Sequence, residues 1–145
     1  MPPSKETFLG AWLAFLKAHS RVVPQVGQDL MGSCGISLTW YDVLFQLDAE
    51  PGHRLRMHEL ADAIVLSKSG LTRVVDRMEQ AGLVAREAVA GDRRSSCVVV
   101  TPAGRALVSK ARPIVKRSVW AHFGSHLSEA ELVHVRDALR RLSGG

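Results

Sequence analysis

The sequence predicts a mainly α-helical fold with one small β-hairpin, and three observations support this prediction. Over most of the 145-residue chain, apolar residues recur in steps of three and four, which is the spacing of one helical face. Two of these helical patterns are short and lie only a few residues apart, as in a helix-turn-helix. Directly after them, two segments that favour strands, the second with a run of β-branched residues, flank a turn that contains glycine. A chain of this length is sufficient for one domain with its own core.

The composition restricts the classes of protein to consider. A formal net charge of +5 weakly favours a polyanionic partner. The apolar stretches are too short to cross a bilayer and no secretory signal is visible, so we expect a cytoplasmic protein without a membrane partner. The two cysteines, Cys34 and Cys97, do not make a disulfide framework, and we expect them to be reduced thiols.

Two helices are predicted in the N-terminal part of the chain. The first pattern extends from Phe8 to Leu30, and Pro24 inside it is expected to kink or divide the helix. After a glycine-containing break, Thr39 is expected to cap a second helix. The inner face of this second helix holds Val43, Leu44 and Leu47.

Two closely spaced helical patterns form the predicted helix-turn-helix. The first is the segment MHELADAI, and the second begins near Ser67 and ends at Ala81, where Gly82 is the stop signal. The apolar residues expected to be buried on the second helix are Leu71, Val74, Val75 and Met78. Its outward positions are then Ser69, Gly70, Thr72, Arg73, Asp76 and Arg77, with Lys68 at the helix start.

A β-hairpin is predicted immediately after this pair of helices. Its strands lie in the segments LVAREAVA and SSCVVVT. The segment GDRRS forms the predicted turn, and its tip carries Asp92, Arg93 and Arg94.

The C-terminal part of the chain predicts two further helices. A long helix extends from Ala103 to about Phe123, and Gly124 is expected to end it. Ser128 and Glu131 then form an S-x-x-E capping box for a last helix that reaches Leu142.

The outward face of the second helix of the pair has the chemistry of a DNA-reading helix. Short hydroxyl side chains and a glycine allow close approach to a phosphate, and Arg73 is long enough to reach a guanine edge. We expect Arg94 to enter the minor groove, held extended by Asp92, and Arg93 to lie closer to phosphate. The candidate DNA contacts are Ser67, Lys68, Ser69, Gly70, Thr72, Arg73, Arg77, Asp92, Arg93 and Arg94. The alternative interpretation is a solvated helix face beside a solvated turn.

These motifs resemble the winged helix-turn-helix of the multiple-antibiotic-resistance regulator (MarR) family, in which the hairpin is called the wing. The family pattern D-x-R, followed by a strand and V-T-x-x-G, is present at Asp92, Arg94, Val100, Thr101 and Gly104. The segment GLTRVVDRMEQAGLV is similar to the family's recognition helix and its exit. The flanking helices also occur in the family's order, so the resemblance covers nearly the whole chain.

The resemblance implies a ligand-responsive, homodimeric repressor that binds a pseudo-palindromic operator in double-stranded DNA. Within a single MarR-type domain, residues 36–101 would form the winged helix-turn-helix lobe. The helices in residues 6–32 and 103–143 would form the dimer. Apolar residues at both ends of the chain fit this arrangement, and the alternative is that they complete the core of a monomer.

The resemblance also implies a cleft for a small aromatic ligand. The candidate ligand-binding residues are Trp12, His19, Trp40 and Asp42, because TWYDVL with an upstream tryptophan resembles the urate-responsive branch of the family. In this interpretation Asp42 is a polar anchor and the tryptophans are apolar walls. The alternative is that Trp12 and Trp40 are packing residues.

No catalytic site, metal site or cofactor is predicted. The sequence has no G-x-S-x-G, phosphate-loop or H-E-x-x-H motif, so we do not expect an enzyme. His122 and His126 have the i, i+4 spacing of a metal-ligand pair, but Gly124 is expected to end the helix between them. The remaining alternative function is a winged helix that contacts only proteins. That function predicts an apolar outer face on the second helix of the pair, whereas this face is polar.

Overall fold

Helices account for most of the chain, and a small sheet accompanies them. The computed structural model describes residues 1–66 and 69–145, apart from the side chains of residues 93–95. In these ranges the helices are α1 (Lys5–Cys34), α2 (Leu38–Ala49), α3 (Met57–Ala63), α4 (Leu71–Gln80), α5 (Pro102–His122) and α6 (Glu129–Ser143). The strands are β1 (Arg54–Arg56), β2 (Val84–Val89) and β3 (Asp92–Val100), and 3₁₀ turns cover Pro51–His53 and Gly124–His126. The predicted mainly α-helical fold with a β-hairpin is confirmed.

The chain divides into two compact units, whose boundaries fall inside α1 and α5. The first unit comprises Met1–Asp29 and Val115–Gly145, and the second comprises Leu30–Ile114. The first unit therefore contains most of α1 and all of α6, and the second contains α2, α3, α4 and the sheet. Among the helices of the described residues, none is both long and apolar enough to cross a membrane.

The core of the second unit is centred on α2. Val43, Leu44 and Leu47 are fully buried, which confirms the predicted inner face of this helix. The other elements contribute the fully buried side chains Leu60, Met78, Val75, Val84 and Val98. Removing a side chain of this kind from water contributes about 1.5–3 kcal/mol to folding, so these contacts hold the small helices and the sheet together.

The first helix is continuous through Pro24, so of the predicted kink or division the division does not occur. Proline removes one backbone donor and leaves the carbonyl of Ser20, four residues earlier, without its usual partner. Both residues are exposed, so water can hydrate this carbonyl and the helix continues. A kink at Pro24 stays a prediction.

The cap of α2 is Ser37 rather than the predicted Thr39. The backbone N–H of Trp40 donates to Ser37 Oγ at 3.1 Å, and Ser37 has the extended backbone of an N-cap residue. Thr39 lies inside the first turn of the helix, which begins at Leu38.

The helix-turn-helix consists of α3 and α4, and α4 is shorter than predicted. The predicted start at Ser67 lies outside the described residues, and α4 begins at Leu71 after Gly70. Gly70 has a φ of 71°, a left-handed conformation that cannot continue a helix, so Ser69 and Gly70 precede α4. At the other end, Gly82 has a φ of 76° and ends the helix as predicted.

The hairpin belongs to a three-stranded antiparallel sheet of order β1-β3-β2. Strand β1 was not predicted, because its three residues are too few to show a period. The connection is also tighter than predicted, since only Ala90 and Gly91 form the turn and Asp92 pairs with Val89. The predicted turn over GDRRS is therefore wrong. Gly91 has a φ of 82°, a left-handed conformation that glycine adopts readily in a turn, and the pairing register of β2 and β3 shifts between Ala88 and Val89.

The predicted capping box is present at the start of the last helix, α6. Ser128 Oγ accepts the backbone N–H of Glu131 at 3.3 Å, and the Glu131 carboxylate accepts the backbone N–H of Ser128 at 2.8 Å. The helix it starts, α6, ends at Ser143, one residue beyond the predicted limit. Helix α5 ends at His122, close to the predicted end at Phe123 before Gly124, and a 3₁₀ turn that begins at Gly124 separates α5 from α6.

Candidate nucleic-acid interface

The second helix of the helix-turn-helix, α4, presents the predicted polar face to solvent. Leu71, Val75 and Met78 are buried, and Val74 is half-buried at the edge of this face. The exposed positions include Thr72, Arg73, Asp76 and Arg77. An α-helix with two exposed arginines and a short hydroxyl can enter the major groove of DNA, where arginine forms paired hydrogen bonds with guanine.

The segment before α4 is held by a buried carboxylate on α2. Asp42 is 9% exposed, and its Oδ2 accepts the backbone N–H groups of Val65 at 2.7 Å and Leu66 at 3.0 Å. Its other oxygen accepts an N–H of Gln46 at 3.3 Å. These charge-assisted hydrogen bonds hold the backbone of Val65 and Leu66, which follow α3, against α2. The sequence offered no signal for the contacts with Val65 and Leu66, because these two residues lie more than 20 residues away from Asp42.

The base of the wing, the hairpin β2–β3, is anchored to the end of α4. Thr101 Oγ1 donates to the carbonyl oxygen of Gly82 at 2.6 Å and accepts the backbone N–H of Gly104 at 3.1 Å. The Thr101 N–H donates to the Leu83 carbonyl oxygen at 3.0 Å. A Cβ at Gly104 would collide with the same Leu83 oxygen. The V-T-x-x-G pattern therefore sets the path of the chain from the wing into α5.

A second connection joins the wing to α4 through Arg86 on β2. Its Nη2 lies 2.7 Å from Asp76 Oδ1, and its Nη1 donates to Glu79 Oε1 at 3.2 Å. The backbone N–H of Arg86 also donates to Glu79 Oε2 at 2.9 Å. Helical spacing placed Asp76 on the outward face, but no pattern in the sequence identified Arg86. Its partners lie on a different element, which spacing alone cannot show.

Three further candidate DNA contacts, Asp92, Arg93 and Arg94, belong to the first residues of β3, directly after the turn of the wing. Asp92 is exposed and begins β3. The backbone of Arg93 and Arg94 continues β3, while their side chains lie outside the described residues. Ser67 and Lys68 also lie outside them. The expected contact between Asp92 and Arg94 stays a prediction.

The four candidate ligand-binding residues are distributed over both units. Trp12 and His19 lie in the first unit and are exposed, whereas Trp40 and Asp42 lie in the second. In the first unit His19 lines a groove of ≈ 600 Å³, together with apolar residues of α1 and α6 such as Phe15 and Leu139. Asp42 has the three hydrogen bonds described above, so this carboxylate has a structural role within its own unit.

His122 and His126 do not share one helix, since α5 ends at His122 and His126 lies in the following 3₁₀ turn. His122 Nε2 instead lies 2.8 Å from Asp29 Oδ2, which also accepts the hydroxyl of Ser118 at 2.6 Å. These hydrogen bonds, from Ser118 first and His122 second, lower the pKa of Asp29. Within the described residues, no three metal-ligating side chains are grouped together.

A helix-turn-helix followed by an anchored β-hairpin defines a winged helix-turn-helix protein. The MarR family model matches residues 35–95 of the chain. AbsC, a MarR family transcriptional regulator of Streptomyces coelicolor, has a solved structure that is 31% identical. The match covers 99% of this chain and 97% of AbsC, with a TM-score of 0.87.

Two further relatives agree with this match. A Thauera aromatica protein described as a transcriptional regulator for the hcr operon is 31% identical over 118 residues, which cover 81% of this chain and 69% of that protein. BpsR of Bordetella bronchiseptica, whose DNA binding is regulated by 6-hydroxynicotinic acid, is 26% identical. Its structure matches 100% of this chain and 99% of BpsR, with a TM-score of 0.81. The chain belongs to the MarR family of transcriptional regulators, which are DNA-binding proteins and not enzymes.

Proposed function

We propose that the chain is a homodimeric repressor that binds a pseudo-palindromic operator in double-stranded DNA and responds to a small aromatic ligand. The observation that carries this proposal is the exposed polar face of α4, with Thr72, Arg73 and Arg77 beside a wing. An apolar face at this position would favour a protein-contacting winged helix instead.

In this proposal α4 lies in the major groove. Arg73 holds the O6 and N7 atoms of a guanine, and Thr72 and Arg77 contact the neighbouring backbone or bases. The segment from Ser67 to Gly70, immediately before the helix, lies against phosphate. The short side chains of Ser67 and Ser69 and the absence of a side chain at Gly70 allow close approach there, and Lys68 adds a positive charge.

The wing contacts the neighbouring minor groove. Arg94 enters this groove, where the negative potential is enhanced, and Arg93 contacts phosphate. Asp92 orients Arg94 by a charged hydrogen bond. Contacts of this kind position the protein and carry little information about base identity.

Exposed apolar side chains of the first unit support the proposed dimer. They are Phe8, Leu9, Trp12, Leu13, Phe15 and Leu16 on α1, Val119 and Trp120 on α5, and Val133, Leu139 and Leu142 on α6. Large exposed apolar patches of this kind mark protein–protein interaction surfaces. A second copy would cover them under two-fold symmetry, and a two-fold dimer binds two half-sites roughly one helical turn apart.

Two observations support the proposed ligand response. The DNA binding of the relative BpsR is regulated by 6-hydroxynicotinic acid, and Asp42 accepts hydrogen bonds from the segment before α4. A ligand that donates hydrogen bonds to the Asp42 carboxylate competes with the backbone N–H groups of Val65 and Leu66, which precede α4. It can change the DNA affinity only by its difference in affinity for the two arrangements of this segment. Trp12, His19 and Trp40 stay predicted ligand contacts.

The proposed function is tested by selecting random double-stranded DNA with the purified protein and sequencing the bound fragments. We expect enrichment of one motif with two related half-sites. If no motif is enriched over an unselected library, the protein does not read DNA sequence, and a winged helix that contacts only proteins becomes the better account.

A further inference from the structure

We propose that Arg86 of the wing is a positioning residue for DNA recognition. It pairs with the two carboxylates on the outward side of α4, Asp76 and Glu79, and offsets one of their two negative charges, so that the recognition helix together with Arg86 meets DNA with a net positive charge. This inference rests on the proposed DNA binding and identifies a residue that sets the sign of the charge on the recognition helix.

The contacts of Arg86 extend along two turns of α4. The guanidinium reaches Asp76 at 2.7 Å and Glu79 at 3.2 Å, and the Thr72 carbonyl oxygen lies 3.4 Å from Nη2. The Arg86 side chain is 25% exposed, against 51% for Asp76 and 42% for Glu79. Arg86 is therefore the most shielded member of the group, and its charge is directed at the helix rather than at solvent.

The spacing of the residues on α4 separates acidic from basic side chains. Thr72, Asp76 and Glu79 follow each other in steps of four and three, so they share the side of α4 that Arg86 contacts. Arg73 and Arg77 lie four residues apart and occupy the neighbouring side of the helix. The carboxylates therefore face the wing strand, and the arginines are displaced from it.

The charge balance shows why this arrangement matters for a polyanion. The exposed side of α4 carries two positive charges, at Arg73 and Arg77, and two negative charges, at Asp76 and Glu79, which cancel. Arg86 adds one positive charge and makes the group net positive. Affinity for DNA depends strongly on charge facing the phosphates, and two uncompensated carboxylates would oppose it.

Arginine is suited to this role because its guanidinium presents several N–H donors in a fixed plane. One terminal nitrogen serves Asp76 while the other serves Glu79. A lysine at this position has one compact charge and cannot hold both carboxylates in the same manner.

The test is a salt titration of DNA affinity for Arg86→Gln on the selected motif and on scrambled DNA. We expect affinity to fall roughly tenfold on both, because the effect is electrostatic. The matched control is Arg54→Gln, an arginine of β1 that pairs with Glu87 at 2.9 Å. Since this pair does not involve α4, we expect the control to change affinity less than about twofold.

A rescue experiment separates charge neutralisation from a purely structural role. Adding Asp76→Asn and Glu79→Gln to the Arg86→Gln variant should restore most of the lost affinity, because the repelling charges are gone while the side-chain shapes remain. With Arg86 intact, the same two substitutions should leave affinity equal to wild type or higher. Circular dichroism and thermal melting report whether each variant is folded.

Three results would overturn the proposal. The first is that Arg86→Gln binds DNA with unchanged affinity while wild type and Arg54→Gln also bind the motif. In that case the proposed function still stands. The second is a failed rescue in folded protein. The third is that Asp76→Asn, Glu79→Gln binds DNA more weakly than wild type when Arg86 is present. This measurement does not depend on whether Arg86→Gln folds. If wild type selects no DNA, the proposed function and this inference both fall.

Discussion

Among the single residues, Asp42 has two proposed roles, as a ligand contact and as an anchor for the backbone of Val65 and Leu66. The sequence placed it among the ligand candidates by resemblance. Its position in the structure, buried with three hydrogen-bond donors around it, makes it an anchor for the turn that leads into α4. The two uses are compatible, because a ligand that displaces these donors would act directly on the DNA-reading helix.

We predict that Asp42→Asn destabilises the protein by about 1–2 kcal/mol, because a charged acceptor of two backbone N–H groups becomes a neutral one. DNA affinity should fall with it, since the turn before α4 loosens. The measurements are urea unfolding and DNA titration. The control is Asp62→Asn, which changes an exposed aspartate of α3. Equal stability of the two variants would contradict the anchoring role of Asp42.

At the scale of elements, the sequence predicted the order and burial of the helices well. Apolar spacing identified the inner faces of α2 and α4, because those residues contact a core on one side only. The ends of elements were less accurate. Ser37 and Gly70 determine where α2 and α4 begin, and both depend on local backbone angles. Strand β1 exists only through pairing with β3, about 40 residues later, which no local pattern reveals.

The candidate site was predictable to a similar extent. The exposed arginines of α4 follow from its helical period, and the residues of the wing tip follow from their place after a glycine. The contacts of Asp42 and Arg86 are long-range, and their partners are backbone groups or side chains of other elements. Such contacts depend on the packed structure, so residue spacing could not identify them.

We predict that Gly104→Ala destabilises the junction between the wing and α5 by about 1–3 kcal/mol. Its Cβ would collide with the Leu83 carbonyl oxygen and the Val100 side chain, which the fold holds in place. The matched control is Gly10→Ala in α1, where a Cβ meets no atom within 4 Å. We expect this control to be neutral or stabilising, because alanine favours helix. Thermal melting compares the two, and an unaltered Gly104→Ala protein would rule out the close approach.

At the scale of the whole molecule, the account requires a second copy of the chain. Leu142 is 81% exposed and lies in the first unit with the other exposed apolar residues. We predict that Leu142→Glu together with Leu9→Glu converts a dimer into a monomer, because burying two carboxylates in an apolar interface is unfavourable. Sedimentation equilibrium measures the change.

The control for this prediction is Val65→Glu, which replaces an equally exposed apolar residue (82%) in the second unit. We expect that variant to sediment as wild type does. A monomeric wild-type protein at micromolar concentration, or a Leu142→Glu, Leu9→Glu protein that stays dimeric, would exclude the first unit as the dimer interface.

The central claim is that α4 reads bases while the wing supplies charge and shape recognition. The direct measurement is a salt titration of Arg73→Ala and Arg94→Ala on the selected operator and on scrambled DNA. Arg73→Ala should lose about 1–3 kcal/mol on the operator and relax the preference at one position in each half-site. Arg94→Ala should weaken binding to both DNAs alike and reduce the slope of log affinity against log salt by about 1. Unchanged affinity and slope for Arg94→Ala on both DNAs, together with an unaltered operator preference for Arg73→Ala, would contradict the account.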